Sequence, residues 1–187
     1  MDRIIGQWAV ERPDLDTQAM EVFGRIYRIA RTVGDLQEAA YERYGINRGE
    51  FDVLATLRRA GAPHQLTPTE LCESMMLTSG GMTGRIDRLE QRGLVRRLPH
   101  PSDRRALVVT LTPTGHSLVE EAVVAGLQAQ RAVLERLPAS SRGELVSLLR
   151  QLLAASSDAG AAPASTATDA DRPQGRDGRR RVRSSGS

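Results

Sequence analysis

Residues 67–111 read TPTELCESMMLTSGGMTGRIDRLEQRGLVRRLPHPSDRRALVVTL, and the order of elements they encode decides the fold. Thr67-Pro-Thr-Glu70 puts an acceptor at the N-cap, proline at the first helical position and glutamate at the third, the pattern of a capped helix start. A tight turn follows near Leu77 and Thr78, and Thr78 caps a second helix that runs through Gln91 and stops at Gly93. Beyond Gly93 the period changes. Leu94–Leu98 and Ala106–Leu111 flank a Pro99-His-Pro-Ser-Asp103 turn, which predicts a short β-hairpin. Short helix, turn, second helix and basic hairpin is the order of a winged helix-turn-helix.

The residue types suit that order. Thr78-Ser-Gly-Gly-Met-Thr-Gly-Arg85 lacks bulk, so the backbone at the start of the second helix can approach base edges and phosphates while Ser79 and Thr83 donate hydrogen bonds. Arg85 reaches guanine or phosphate. Ile86 and Leu89 share an inward face, whereas Arg88 and Arg92 lie elsewhere, as phosphate contacts or salt-bridge partners. In the hairpin tip, Arg104 or Arg105 is placed to enter a minor groove, with Asp103 fixing a neighbouring guanidinium. Each feature alone has a plain structural alternative, a close packing contact for the glycines and a solvated loop for the basic hairpin. Their conjunction in this order favours DNA binding.

The flanks are helical. Asp16 precedes a run in which Met20, Phe23, Tyr27, Ala30 and Val33 recur at the spacing of one buried face, ending near Gly45. Asn47-Arg-Gly-Glu50 is a second capping box, and Thr112-Pro113 opens a long helix to Arg136. Ser141-Arg-Gly-Glu144 begins the last, with Leu145, Leu148, Leu149, Leu152 and Leu153 on one face. The expected fold is mainly α, an α+β winged helix-turn-helix with a two-stranded wing. Its expected domain spans 1–157, with the DNA-binding lobe at about 46–112 and dimerisation helices in 1–45 and 113–157. From Ala154, Ala, Ser, Thr, Gly and Pro take over, so 158–187 is expected to be a disordered tail ending in an arginine cluster, Arg176–Arg183.

Composition narrows the classes. The 187 residues are 40% hydrophobic and 26% charged, the balance of one globular domain. Formal charge is only +3, but between Thr78 and Thr110 seven arginines face three carboxylates, a local basic stripe on a nearly neutral body. A single cysteine, Cys72, excludes an intramolecular disulfide and a cysteine zinc cage. No apolar run has the length of a signal peptide or a membrane span, so a cytoplasmic, membrane-free location is expected. His64, His100 and His116 have no nucleophile or metal partner at a recognisable spacing, and neither an enzyme nor a cofactor is expected.

Met82-Thr-Gly-Arg-Ile-Asp-Arg-Leu-Glu-Gln-Arg-Gly-Leu-Val95 followed by Pro101-Ser-Asp-Arg-Arg105 resembles the recognition helix and wing of the MarR family of bacterial transcriptional regulators. Phe51-Asp-Val-Leu54 and Leu111-Thr-Pro-Thr-Gly115 extend the resemblance to about residues 16–153. It implies a homodimer held by the first and last helices, bound to a pseudo-palindromic operator in double-stranded DNA, usually as a repressor released by a small molecule. Matched by position, Ser79, Gly80, Thr83 and Arg85 fall in the base-reading part, and Asp103 and Arg105 match the wing's Asp-x-Arg pair. Gly81 and Gly84 depart from the family pattern, where many members carry larger residues.

Ahead of the usual first helix stands Trp8, the only tryptophan. The segment resembles the extra N-terminal helix of the family's subgroup responsive to urate and related anions. That resemblance implies a ligand site of Trp8, Asp52, Arg59 and Arg97 for a small anionic metabolite. Arginines clamp an anion, tryptophan stacks on a flat ligand, and the incoming charge repels Asp52. An ordinary ion pair of Asp52 with Arg59 is the alternative. Redox sensing at Cys72 is disfavoured, because neighbouring carboxylates raise rather than lower a thiol pKa. The rival to a regulator is an architectural DNA-binding protein that works through its arginine-rich tail without a ligand.

Overall fold

The computed structural model describes residues 1–75, 79–103 and 105–161. The expected turn at Leu77 and Thr78, Arg104 and the tail from 162 onward lie outside them. In chain order the elements are α1 (Asp2–Glu11), α2 (Gln18–Glu42), α3 (Arg48–Arg59), β1 (Gln65–Leu66), α4 (Pro68–Met75), α5 (Ser79–Gln91), β2 (Val95–Pro99), β3 (Leu107–Leu111), α6 (Pro113–Leu134) and α7 (Ala139–Ala161). Two compact units divide at the start of α7, Met1–Ala139 and the stretch from Ser140.

Local chemistry sets the helix ends. At α3, the Asn47 side chain accepts from the Glu50 N–H at 2.9 Å while Glu50 accepts from the Asn47 N–H at 3.2 Å, a complete capping box. Thr67 and Glu70 exchange the same pair of bonds at α4. The Thr112 hydroxyl takes the Gly115 N–H at 3.0 Å, with Pro113 following it at the start of α6. α2 and α5 end alike. Gly45 (φ +69°) and Gly93 (φ +68°) adopt the left-handed conformation, and the next amides, Ile46 and Leu94, reach back to the Tyr41 and Leu89 carbonyls.

In the first unit the core gathers Tyr41, Ile46, Val53, Leu54, Leu57, Leu71, Met82, Ile86, Leu89, Val95, Val109 and Val119. α3 lies at its centre, packed against α2, α4, α5, α6 and β3. β2 and β3 form the expected hairpin, with Val95 opposite Leu111 and Pro99 opposite Leu107. A third strand joins it: β1 pairs antiparallel with β3, giving the sheet order β1-β3-β2. Two residues are too few to show an alternating pattern, so β1 was not foreseen.

Within one chain the expected burial on α2 is incomplete. The face of α2 predicted to be buried is open, with Met20, Phe23 and Tyr27 all exposed, Tyr27 at 70%. Only the C-terminal end of α2 reaches the core, through Tyr41. Periodicity reports that a face is apolar, not which chain covers it. α7, described on its own, likewise carries exposed Leu145, Leu148, Leu149 and Leu153. Its helix runs to Ala161, past the point at 158 where the tail was expected to begin.

Gly115 is fixed by close approach, since a Cβ there would collide with the Leu94 carbonyl, a backbone group that cannot swing aside. Gly115→Ala is expected to destabilise the fold by about 1–3 kcal/mol, despite alanine's better helix propensity. Urea denaturation checks this, and an unchanged midpoint would refute it.

Candidate nucleic-acid interface and ligand cavity

α5 buries one stripe and exposes the other. Met82, Ile86 and Leu89 are at most 1% exposed and lock the helix onto the core. On the outward side Thr83 is exposed, and a Cβ built on Gly81 meets nothing within 4 Å. Gly81 is therefore no packing contact. It leaves a bare stretch of backbone at the positively polarised end of a helix, where an incoming phosphate or base edge finds room. Ser79 and Gly80 lie in the first turn of the same helix.

The arginines divide by partner. Arg85 lies over Gly49 at the start of α3, where a Cβ would come within 2.8 Å of its guanidinium carbon, and its charge is felt by Asp52. Arg88 Nε donates to Glu50 Oε1 at 2.8 Å, and Glu50 is only 5% exposed. Arg92 donates to the Gly45 and Tyr44 carbonyls, closing the C-terminus of α2. Arg97 on β2 is bound to Asp87 at 2.5 Å and to Glu90, so it ties the wing to α5. Of the two roles open to Arg88, the salt bridge is the one this chain forms.

At the wing tip, Asp103 accepts the backbone N–H of Arg105 at 2.9 Å. The exposed Arg105 side chain is left facing solvent at the hairpin's end. The turn is further held by His100 N–H to the Ala106 carbonyl at 3.0 Å. His64 and His116 meet elsewhere, at the foot of α6, with ring centres 5.3 Å apart.

Behind the helix-turn-helix, α2, α3 and α6 enclose a cavity of about 450 Å³. Tyr41 and Phe51, stacked at 4.1 Å, form its apolar wall, and Arg58, Arg59 and Glu120 its polar rim. Arg58 is paired with Glu120, and among the described residues Arg59 bonds the Thr56 hydroxyl at 3.0 Å in its own helix. Of the four expected ligand residues, Asp52 and Arg59 are brought within electrostatic reach of each other. Trp8 lies on α1 beside Ile4, 40% exposed, and Arg97 is occupied at the wing. Tyr41, Phe51 and Arg58 were not singled out from sequence. The available signal was Gly126, a mid-helix glycine in α6 that leaves room for the Tyr41 ring.

The MarR family model matches residues 44–106, the stretch that holds the helix-turn-helix and most of the wing. The HTH-type transcriptional regulator PecS of Dickeya dadantii is 36% identical over 146 residues, which cover 78% of this chain and 88% of that protein. The chain belongs to the MarR family. The HTH-type transcriptional repressor YetL of Bacillus subtilis is 27% identical over 139 residues, which cover 74% of this chain and 83% of that protein. Among solved structures, a mutant MarR of E. coli complexed with operator DNA superposes with a TM-score of 0.65 at 27% identity, covering 73% of this chain and 96% of that one. This protein is accordingly a DNA-binding transcriptional regulator of the winged helix-turn-helix type. Among the described residues no helix is long and apolar enough to cross a membrane.

Asp52 sits where the MarR lobe meets α2, and burial outweighs the attraction of Arg48, Arg85 and Arg59, holding its carboxyl above the ordinary value near 3.8. The folded chain thus binds this proton more tightly than the unfolded one, and stability declines as pH rises through the window just above 3.8. Asp52→Asn is expected to raise the urea midpoint at pH 7, with the gain vanishing near pH 3, where the carboxyl is protonated in both states. A midpoint lowered at pH 7 would contradict it.

Proposed function

We propose that this protein is a homodimeric, ligand-released repressor that grips a pseudo-palindromic operator. The N-terminal half of α5 (Ser79, Gly80, Thr83, with Arg85 and Arg88 beside it) enters a major groove, and the wing's Asp103, Arg104 and Arg105 reach the adjacent minor groove or phosphates. The observation that carries this reading is the open backbone at Gly81, on the flank of the buried Met82–Ile86–Leu89 stripe.

Dimerisation explains the uncovered apolar surface. Met20, Phe23 and Tyr27 on α2 and Leu145, Leu148, Leu149 and Leu153 on α7 form rows that a second copy buries, at about 25 cal/mol per Å² of apolar area removed from water. A lobe at 46–112 carried by dimerisation helices on both sides follows from that arrangement. Two-fold symmetry of the protein then dictates two half-sites in the DNA.

The inducer is a flat, anionic metabolite. The stacked Tyr41 and Phe51 supply a planar apolar wall, and Arg59, which among the described residues has no carboxylate bonded to it, supplies the charge. In this reading Asp52 stands beside the cavity as the group that an anion repels. Trp8 and Arg97, the other expected members of the ligand site, do not line the cavity within one chain. Release follows only from a difference in ligand affinity between the DNA-bound and free conformations.

Three measurements test the reading. Arg105→Ala is expected to weaken operator binding by about 1–3 kcal/mol at matched salt, with unchanged affinity removing the wing contact. Removing residues after 158 should leave sequence discrimination intact, whereas an architectural binder working through its tail loses most of its affinity. In gel shifts with urate, a tricarboxylic acid and an aromatic acid, one anion should release the DNA and Arg59→Ala should abolish that release. Trp8→Phe run alongside decides whether the tryptophan takes part.

A further inference from the structure

The wing's turn is folded around a histidine. His100 Nδ1 receives the backbone N–H groups of Ser102 at 3.2 Å and Asp103 at 3.1 Å, with the Ser102 hydroxyl also 3.2 Å away. A ring nitrogen approached by two amide donors acts as a lone pair, so the imidazole is neutral and carries its proton on Nε2. The arrangement copies the turn that Asn and Asp side chains make with the amide two residues on. What it organises is the rest of the loop. Asp103, held by its own N–H on His100, offers its carbonyl to the Ala106 N–H at 3.1 Å and its carboxylate to the Arg105 N–H at 2.9 Å. His100 Nδ1 is thus the side-chain acceptor in the set of bonds that hold the turn from which Arg105 leaves the hairpin.

We propose that His100 is a positioning residue for DNA binding, whose neutral imidazole folds the turn that presents Arg105, so that protonation at Nδ1 releases the turn and weakens the grip on DNA. The proposal rests on the wing being a DNA-contacting element. An imidazolium has donors at both nitrogens and cannot accept the Ser102 and Asp103 amides, and imidazole changes charge between pH 5 and 8. A carboxylate near the ring pulls in the other direction. Glu70 of α4, the partner of Thr67 in its capping box, is close enough for its charge to be felt by His100 and favours a cation there. DNA phosphates would do the same. The proposal thus has a definite sign against a simple charge effect: acidification weakens binding through lost geometry, where a mere extra cation strengthens it.

The test uses the full chain and a duplex that it selects from a randomised pool, with affinity read by fluorescence anisotropy at pH 7.5 and 5.5 and equal ionic strength. Wild-type affinity is expected to fall about tenfold at pH 5.5, the scale of one or two net hydrogen bonds. His100→Asn supplies a carbonyl acceptor that does not titrate, so it should bind within about threefold of wild type at pH 7.5 and lose most of the pH dependence. His100→Phe keeps the ring without the acceptor and should be about tenfold weaker at pH 7.5 and indifferent to pH. Because His64 and His116 remain in both variants, the difference from wild type isolates His100. An Asn variant with the full pH drop, a Phe variant that binds like wild type, or tighter wild-type binding at pH 5.5 each overturns the proposal. Thermal melts of the free proteins confirm that a weakened variant is folded. A wild-type chain that selects no sequence defeats the operator-binding reading as well, whereas clean selection with no pH dependence defeats the role of His100 alone.

Discussion

The arrangement of this lobe depends on one buried carboxylate. Glu50 is 5% exposed, and taking a carboxylate out of water costs several kcal/mol unless its lone pairs are filled. Here the Asn47 N–H fills one at 3.2 Å and Arg88 Nε another at 2.8 Å, with Arg92 at 4.0 Å adding charge. The same side chain therefore completes the cap of α3 and holds α5 from outside the apolar core. Met82, Ile86 and Leu89 fix the depth and the face of α5, since burying one stripe leaves Gly81 and Thr83 outside. The Glu50–Arg88 bond adds a directional tie on the flank of that stripe.

What sequence made legible was whatever is decided within one turn of chain. The capping boxes at Asn47 and Thr67, the Thr112-Pro113 helix start and the glycine stop at Gly93 are local bonds between residues three to five apart, and all are present. The hairpin and the inward face of α5 follow from short periods and are also present. Partner choice among charges is a different matter. Arg88 meets Glu50 38 positions away and Arg58 meets Glu120 62 positions away, and an arginine in a basic stripe looks the same whether it is free or spoken for. Arg88 and Arg97 read as ligand or DNA contacts for that reason.

What covers the apolar row on α2 is a question of the same kind. A helix with Met20, Phe23 and Tyr27 on one side must hide them to be stable, but hydrophobic spacing carries no information about whether the cover is intramolecular. Within this chain the fully buried residue of α2 is Tyr41, where Gly126 lets α6 approach and Phe51 stacks at 4.1 Å. The cavity opens there, at the point where α2 stops being an exposed helix and becomes part of the core. Its apolar wall and the surface left for a second copy are thus successive segments of one helix.

α3 has neighbours on both sides of this design. Phe51, Ala55 and Arg59 face the cavity, while Gly49, Glu50 and Asp52 are the positions that Arg85 and Arg88 of α5 feel. A twelve-residue helix with Val53, Leu54 and Leu57 fully buried moves as a body or not at all, since packed cores do not deform continuously. Phe51 at the cavity and Glu50 at the contact with α5 are thus adjacent residues of one rigid helix. The wing is tied to the same α5 from its other end, since Arg97 on β2 is bound to both Asp87 and Glu90. Cavity, α3, α5 and wing are therefore joined in series, with the buried Met82, Ile86 and Leu89 stripe and the Glu50–Arg88 bond together forming the junction of α3 with α5.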